Sequence, residues 1–178
     1  IRDRPDAVIM TGDLTMRAKP HEFDAGGKWL RSLGVPVTVE VGNHDIPYYS
    51  DPIRRLFSPY KRYGAAERLI EQPLDLPGVS IIPLKTTARA QLRLNWSKGR
   101  VSDGALQRAL DLTRQAPKGN LIFVAAHHPL IEGPTRGTAR TRNGAEALAA
   151  LADAGAHAVL TGHVHDPFDV PYQRLSLI

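Results

Sequence analysis

The chain has 178 residues, 42% of them hydrophobic, which fits one globular domain with a real core rather than a disordered segment. It has no cysteine, which excludes disulfides, thiolate catalysis and a thiolate zinc site. A net charge of +5 suits an anionic substrate, no apolar run is long enough to span a bilayer, and no secretory signal is visible, so a cytoplasmic protein with no membrane partner is expected.

In chain order, Asp6–Met10 is a short apolar run ending at Thr11-Gly12 and reads as a buried strand. His21–Leu33 has helical spacing through Phe23, Leu30 and Leu33, with Trp29 expected in the core and Gly34 as the stop. Val35–Val41 is rich in β-branched residues and predicts a second strand. Asp51–Ile70 is mixed, with short helices. Val79–Thr86 and Ala90–Asn95 read as two further strands, paired as a hairpin that makes the second half more antiparallel. Ser102 caps a helix over Asp103–Gln115, and Asn120–Ala126 is another buried strand. Asn143 and Glu146 have the spacing of a capping box for a helix running to about Ala154, which Gly155 ends. His157–Gly162 is the next strand. Alternation of strands and helices predicts an α/β fold with a largely parallel sheet covered on both faces. The chain opens close to one strand and stops inside another, so residues 1–178 read as a single domain truncated at both ends.

Four apolar strands end in polar clusters: Asp13, then Asn43, His44 and Asp45, then His127 and His128, then His163 and His165. Ligands in open α/β sheets bind beyond the carboxyl ends of strands, so these clusters should converge. Carboxylate, carboxamide oxygen and imidazole together suit a transition metal better than an all-oxygen calcium cage. The glycines before Asp13, Asn43 and His163 would let the backbone turn sharply and bring the next side chain inward. If the backbone stays extended through His163, Val164 and His165, the two imidazoles share a face.

Gly12-Asp13, "GNHD" at Gly42–Asp45, "HHP" at His127–Pro129 and "GHVH" at Gly162–His165 resemble, in order and spacing, the calcineurin-like metallophosphoesterase superfamily. "GRVSDGALQRALDL" at Gly99–Leu112 is similar to the stretch that precedes that family's "HHP" strand, and the bacterial branch containing cyclic-nucleotide phosphodiesterases is the nearest in character. The resemblance implies a four-layer α/β/β/α sandwich with two divalent transition metals, Mn, Fe or Zn. It implies that Asp13 bridges them, that Asn43, His127 and His163 hold the second, and that His165 holds the first. It gives His44 the role of facing the phosphate and protonating the leaving oxygen. Asp45 would hydrogen-bond His44 or orient the turn, and His128 would be structural rather than a ligand. The implied reaction is hydrolysis of a phosphoester by a metal-activated hydroxide, in a phosphodiesterase or phosphatase for a small nucleotide, cyclic ones included.

One motif of that family is missing. No Asp-x-His precedes Asp13, so only Asp13 and His165 remain of the first metal site, and weak or no activity is implied for the chain as given. Truncation and divergence to one metal both account for this. Two alternatives therefore stand beside the small-phosphoester hydrolase: a nuclease of the same superfamily, and a non-catalytic metal-binding module. The glycine-rich loop Gly133–Gly144 brings Arg136, Arg140 and Arg142, which either hold the substrate or are solvated. Tyr60–Tyr63 pairs cations with aromatics, as nucleic-acid surfaces do, though a surface helix explains it too. Trp96 would line the cleft or pack. Nothing specifies an oligomer.

Overall fold

The computed structural model describes residues 4–48, 51–71, 74, 76–88, 95, 97–136, 140–173 and 175–177. The expected strand at Ala90–Asn95 and the position of Trp96 fall almost wholly outside them, as do residues 137–139 of the arginine loop. The elements are β1 (Val8–Met10), α1 (Pro20–Ser32), β2 (Val37–Val39), α2 (Pro52–Phe57), α3 (Lys61–Ile70), β3 (Val79–Leu84), α4 (Asp103–Gln115), β4 (Leu121–Ala126), α5 (Gly144–Asp153), β5 (Ala158–Leu160), β6 (Val170–Tyr172) and β7 (Leu175–Leu177).

Two sheets form. β1 and β2 pair in parallel, and the second sheet has the order β3-β4-β5-β7-β6. Each sheet has its own apolar core and its own helices. Phe23 and Leu30 of α1 and Tyr63, Ala66 and Ile70 of α3 pack with Val37 and Val39 of β2. Ala105, Ala109 and Leu110 of α4 and Leu148 and Leu151 of α5 pack with Leu84, Val124 and Val159 of the larger sheet. Helices, sheet, sheet and helices thus give the α/β/β/α layering. The hairpin expected of Val79–Thr86 with Ala90–Asn95 rests on a strand almost wholly outside the described residues. β3 pairs in parallel with β4, from Val79 opposite Leu121 to Leu84 opposite Ala126, because α4 forms a crossover between them. Among the described residues only β6 and β7 pair antiparallel.

Parallel pairing decides where the site falls. The carboxyl ends of β3, β4 and β5 leave one edge of the larger sheet, and those of β1 and β2 leave one edge of the smaller. The polar residues that follow these strands therefore meet.

Two local expectations fail for identifiable reasons. Trp29 is 58% exposed, because the buried stripe of α1 is Phe23, Gly27 and Leu30 and Trp29 lies off it. Asn143 makes no capping hydrogen bond. It takes the left-handed conformation (φ 59°), and its Nδ2 donates to Val101 O at 3.1 Å instead. The tyrosines of "YKRY" are likewise structural. Tyr63 is buried and donates to Val39 O at 2.7 Å, while Tyr60 donates to Thr87 O at 3.1 Å and lies under Lys85, whose Nζ is 3.7 Å from the ring centroid.

Glu40 follows β2 and is only 7% exposed. It lines two cavities of about 720 and 360 Å³, the first between β2 and β3. Burial first, then the fields of Glu71 and Glu67, push its carboxyl from about 4.5 up to about 8. The folded chain binds this proton more tightly than the unfolded chain. Its stabilising contribution is therefore complete below about pH 4.5 and is lost as pH rises to about 8. Glu40→Gln is expected to raise the unfolding free energy at pH 8 by roughly 2 kcal/mol while changing it little at pH 4.5. Urea unfolding of both proteins at the two pH values checks this.

Candidate metal centre

Asp13, Asn43 and His127 meet although they come from three strands and both sheets. After β1 the chain turns at Gly12 (φ 99°) and Asp13 itself is left-handed (φ 58°). Asp13 Oδ1 accepts from the backbone N–H of His44 at 2.9 Å, which ties the turn after β1 to the turn after β2. Asp13 Oδ2 lies 3.4 Å from His127 Nε2, and Asn43 Oδ1 lies 3.0 Å from the same nitrogen.

The tautomer of His127 fixes the chemical character of this meeting point. Its Nδ1 is 2.8 Å from the carbonyl of Thr11, which can only accept, so Nδ1 carries the proton. Burial above all lowers the pKa of His127, with Asp13 opposing it, which favours the neutral ring. Nε2 then presents a lone pair to a carboxylate oxygen and a carboxamide oxygen. Three electron-pair donors converge with no proton to share, and a divalent cation fits such a set.

His163 completes the cluster from the loop after β5. Its ring centroid is 5.1 Å from that of His127 and 4.5 Å from that of His128. Nitrogens of His127, His128 and His163 lie within 4.8 Å of one another. Burial, then His127, lower the His163 pKa to about 4, so its ring is neutral at neutral pH. His128 is different because both its nitrogens are engaged. Nε2 donates to Ser97 O at 2.7 Å, and Nδ1 accepts from the Thr86 hydroxyl at 2.8 Å. Thr86 Oγ1 also accepts from His128 N at 3.0 Å.

The backbone is not extended at "GHVH". His163 (φ 70°) and His165 (φ 58°) are both left-handed, so the shared-face argument for the two imidazoles does not hold. His165 is exposed and outside the group of three clustered imidazoles. Backbone turns, rather than strand alternation, aim His163 at His127.

Asp45 is fully buried (0%) and acts on the backbone. Its carboxylate accepts from the amides of Gly42 (2.9 Å), Leu14 (3.2 Å) and Thr15 (2.8 Å), and from the Thr15 hydroxyl (3.0 Å). It thereby clamps the turn after β1 to the turn after β2. Desolvation raises its pKa, against these hydrogen bonds. The His44 ring is oriented by other groups. Its Nδ1 lies 2.8 Å from Met16 O and 2.5 Å from the Tyr48 hydroxyl. A carbonyl accepts only, so Nδ1 carries the proton, and Nε2, 3.5 Å from the same Tyr48 hydroxyl, keeps a lone pair in the neutral ring.

The three loop arginines do not meet at one place: Arg136 stands apart from the other two. Arg136 is 94% exposed and pairs with Asp166, by Nη2 to Oδ1 at 3.1 Å and by its amide to Oδ2 at 2.9 Å. That pair ties the loop to the turn carrying His165. Arg140 and Arg142 line a separate cavity with Asn95 and Lys98, and the backbone of Arg142 also pairs with Gly99 and Val101. The sequence reading missed Thr86, Thr15, Tyr48 and the carbonyl of Thr11. Thr86 lies just past a strand end, the same signal that marked the histidines.

A sequence profile of the calcineurin-like phosphoesterase family matches residues 1–167. A probable glycerophosphodiester phosphodiesterase of Arcobacter nitrofigilis is 28% identical over 134 residues, 74% of this chain and 45% of that protein. A probable cyclic nucleotide phosphodiesterase of Synechococcus sp. is 25% identical over 166 residues, covering 92% of this chain and 59% of that one. The chain thus spans about half the length of these curated relatives. In fold it is similar to a dimetal phosphatase from Danio rerio, with a TM-score of 0.71 at 14% identity over 99% of this chain and 72% of that one. It is also similar to the phosphopantetheinyl hydrolase of Mycobacterium tuberculosis, with a TM-score of 0.62 at 15% identity over 98% of this chain and 78% of that one. Among the described residues no helix is long and apolar enough to cross a membrane. With the profile spanning nearly the whole chain and the motif residues gathered at the strand ends, the chain belongs to the calcineurin-like phosphoesterase family.

Proposed function

We propose that the chain carries the hydrolytic centre of a metal-dependent phosphodiesterase or phosphatase for a small phosphoester, a nucleotide being the favoured class. The observation that carries this is the meeting of Asp13 Oδ2, Asn43 Oδ1 and His127 Nε2, with the Nδ1 proton of His127 held by Thr11. Asp13, Asn43, His127 and His163 would hold one divalent transition metal, Mn, Fe or Zn. His165 would serve a second together with Asp13. Bound there, such cations supply Lewis acidity toward phosphoryl oxygens and acidify water near neutral pH. The chain's own residues do the rest. Asp45 and the His44 amide hold the two ligand-bearing turns together. His44, anchored through Nδ1, would present Nε2 to the leaving oxygen and deliver a proton there when the ring is charged.

The phosphodiesterase names of the relatives favour a diester substrate. A second reading is a metal-binding module without turnover, for which the clustered imidazoles of His127, His128 and His163 beside the Asp13 carboxylate suffice. Manganese-dependent hydrolysis of bis(4-nitrophenyl) phosphate separates the two. Turnover that needs manganese and falls by about 100-fold or more in Asn43→Ala and His163→Ala is the expected result. Metal uptake without turnover would establish the module instead, and turnover indifferent to both substitutions would sink the ligand set.

A further inference from the structure

A cavity of about 500 Å³ lies beside His44 and is not used by the metal ligands. Arg17, Lys19, Arg54 and Arg62 line it, with Asp51 and Tyr48. Four cations face one carboxylate, and Asp51 is already committed, its Oδ2 lying 2.7 Å from Arg54 Nη1. Arg62 Nη1 donates to Ala18 O at 2.9 Å, which fixes the guanidinium without neutralising it. Arg17 and Lys19 have no side-chain hydrogen-bond partner among the described residues. Glu22 stands near them and offsets part of the Arg17 charge, but its Oε2 is engaged by the backbone amides of Arg17 and Lys19 at 2.9 Å each. The 13-residue helix α1 begins at Pro20 on the cavity wall and adds the positive end of its dipole. Tyr48 connects this cavity to the proposed centre, because its hydroxyl lies 2.5 Å from His44 Nδ1.

We propose that this cavity is an anion subsite that holds a second phosphate of the substrate, carried on the leaving group. The inference rests on the reading of His44 as the residue at the leaving oxygen. It narrows the substrate class to phosphoesters whose alcohol bears its own phosphate dianion. Guanidinium and ammonium groups free of carboxylate partners bind such a dianion through charge-assisted hydrogen bonds.

The test has an arm that needs neither metal nor turnover. The EDTA-treated chain is titrated with inorganic phosphate by calorimetry at low ionic strength. Saturable binding is expected, weakened about fivefold or more by the double substitution Arg17→Ala/Lys19→Ala. It is expected to be unchanged by His163→Ala and by Lys28→Ala/Arg114→Ala, which removes equal charge elsewhere. In the second arm the manganese-loaded chain is titrated with adenosine 5′-monophosphate and with adenosine 3′,5′-bisphosphate. The bisphosphate is expected to bind about tenfold more tightly to the wild type, and the preference to vanish in Arg17→Ala/Lys19→Ala. No phosphate uptake, equal loss in both double variants, or loss in His163→Ala instead would overturn the subsite. Phosphate uptake with no preference for the bisphosphate would overturn its assignment to the substrate. Failure to bind manganese would refute the metal reading alone, because the first arm still decides the subsite.

Discussion

Asp45→Ala is expected to lower the unfolding free energy by roughly 3–5 kcal/mol and to abolish metal uptake, although Asp45 is not placed as a ligand. The carboxylate accepts from three backbone amides and one hydroxyl in a fully buried position. Alanine leaves those donors dry and unpaired, at about 1–3 kcal/mol for each that water cannot reach. The turns holding Asp13 and Asn43 then lose the group that registers them. Asp45→Asn keeps an acceptor and should lose less, roughly half as much stability. Chemical denaturation with calorimetric metal titration checks both, and a variant as stable as the wild type would refute the clamp.

Gly42→Ala should be nearly as damaging, for a steric reason. A Cβ on Gly42 would stand 2.1 Å from Asp13 Oδ1 and 2.2 Å from Asp13 N, closer than any real contact. The Asp13 turn would have to move, taking its carboxylate away from His127. A loss of about 3 kcal/mol or more, with metal affinity lowered about 100-fold, is expected. Gly78→Ala, a position with positive φ but open space around it, is the useful contrast: strain without a clash should cost about 1 kcal/mol and leave metal uptake intact. Thermal melts and metal titrations of the two variants distinguish the cases.

The motif residues were legible in the sequence because strand ends are. Apolar runs stopping at Thr11-Gly12, Gly42, His127 and Gly162 mark where parallel strands leave a sheet, and the structure gathers those ends. The need for glycine was legible too, but not always its cause. Gly12 has the positive φ that a sharp turn requires, whereas Gly42 is needed for closeness to Asp13. What the sequence hid was backbone conformation and partners. The left-handed turns at His163 and His165 leave no trace in "GHVH", so strand alternation does not place these imidazoles. Composition offers the three loop arginines either as anion ligands or as a solvated loop, and Arg136 is spent on Asp166. The cations that share a cavity with Tyr48 come instead from three stretches, Arg17 with Lys19, Arg54 and Arg62, a grouping that only folding creates.

The most direct test is a calorimetric titration of the purified, EDTA-treated chain with Mn²⁺ and Zn²⁺, run beside Asn43→Ala and His163→Ala. About one tightly held metal per chain in the wild type, lost in both variants while their thermal melts stay cooperative, is the predicted result. Metal uptake unchanged in both variants, or none in a well-folded wild type, would contradict the proposed centre.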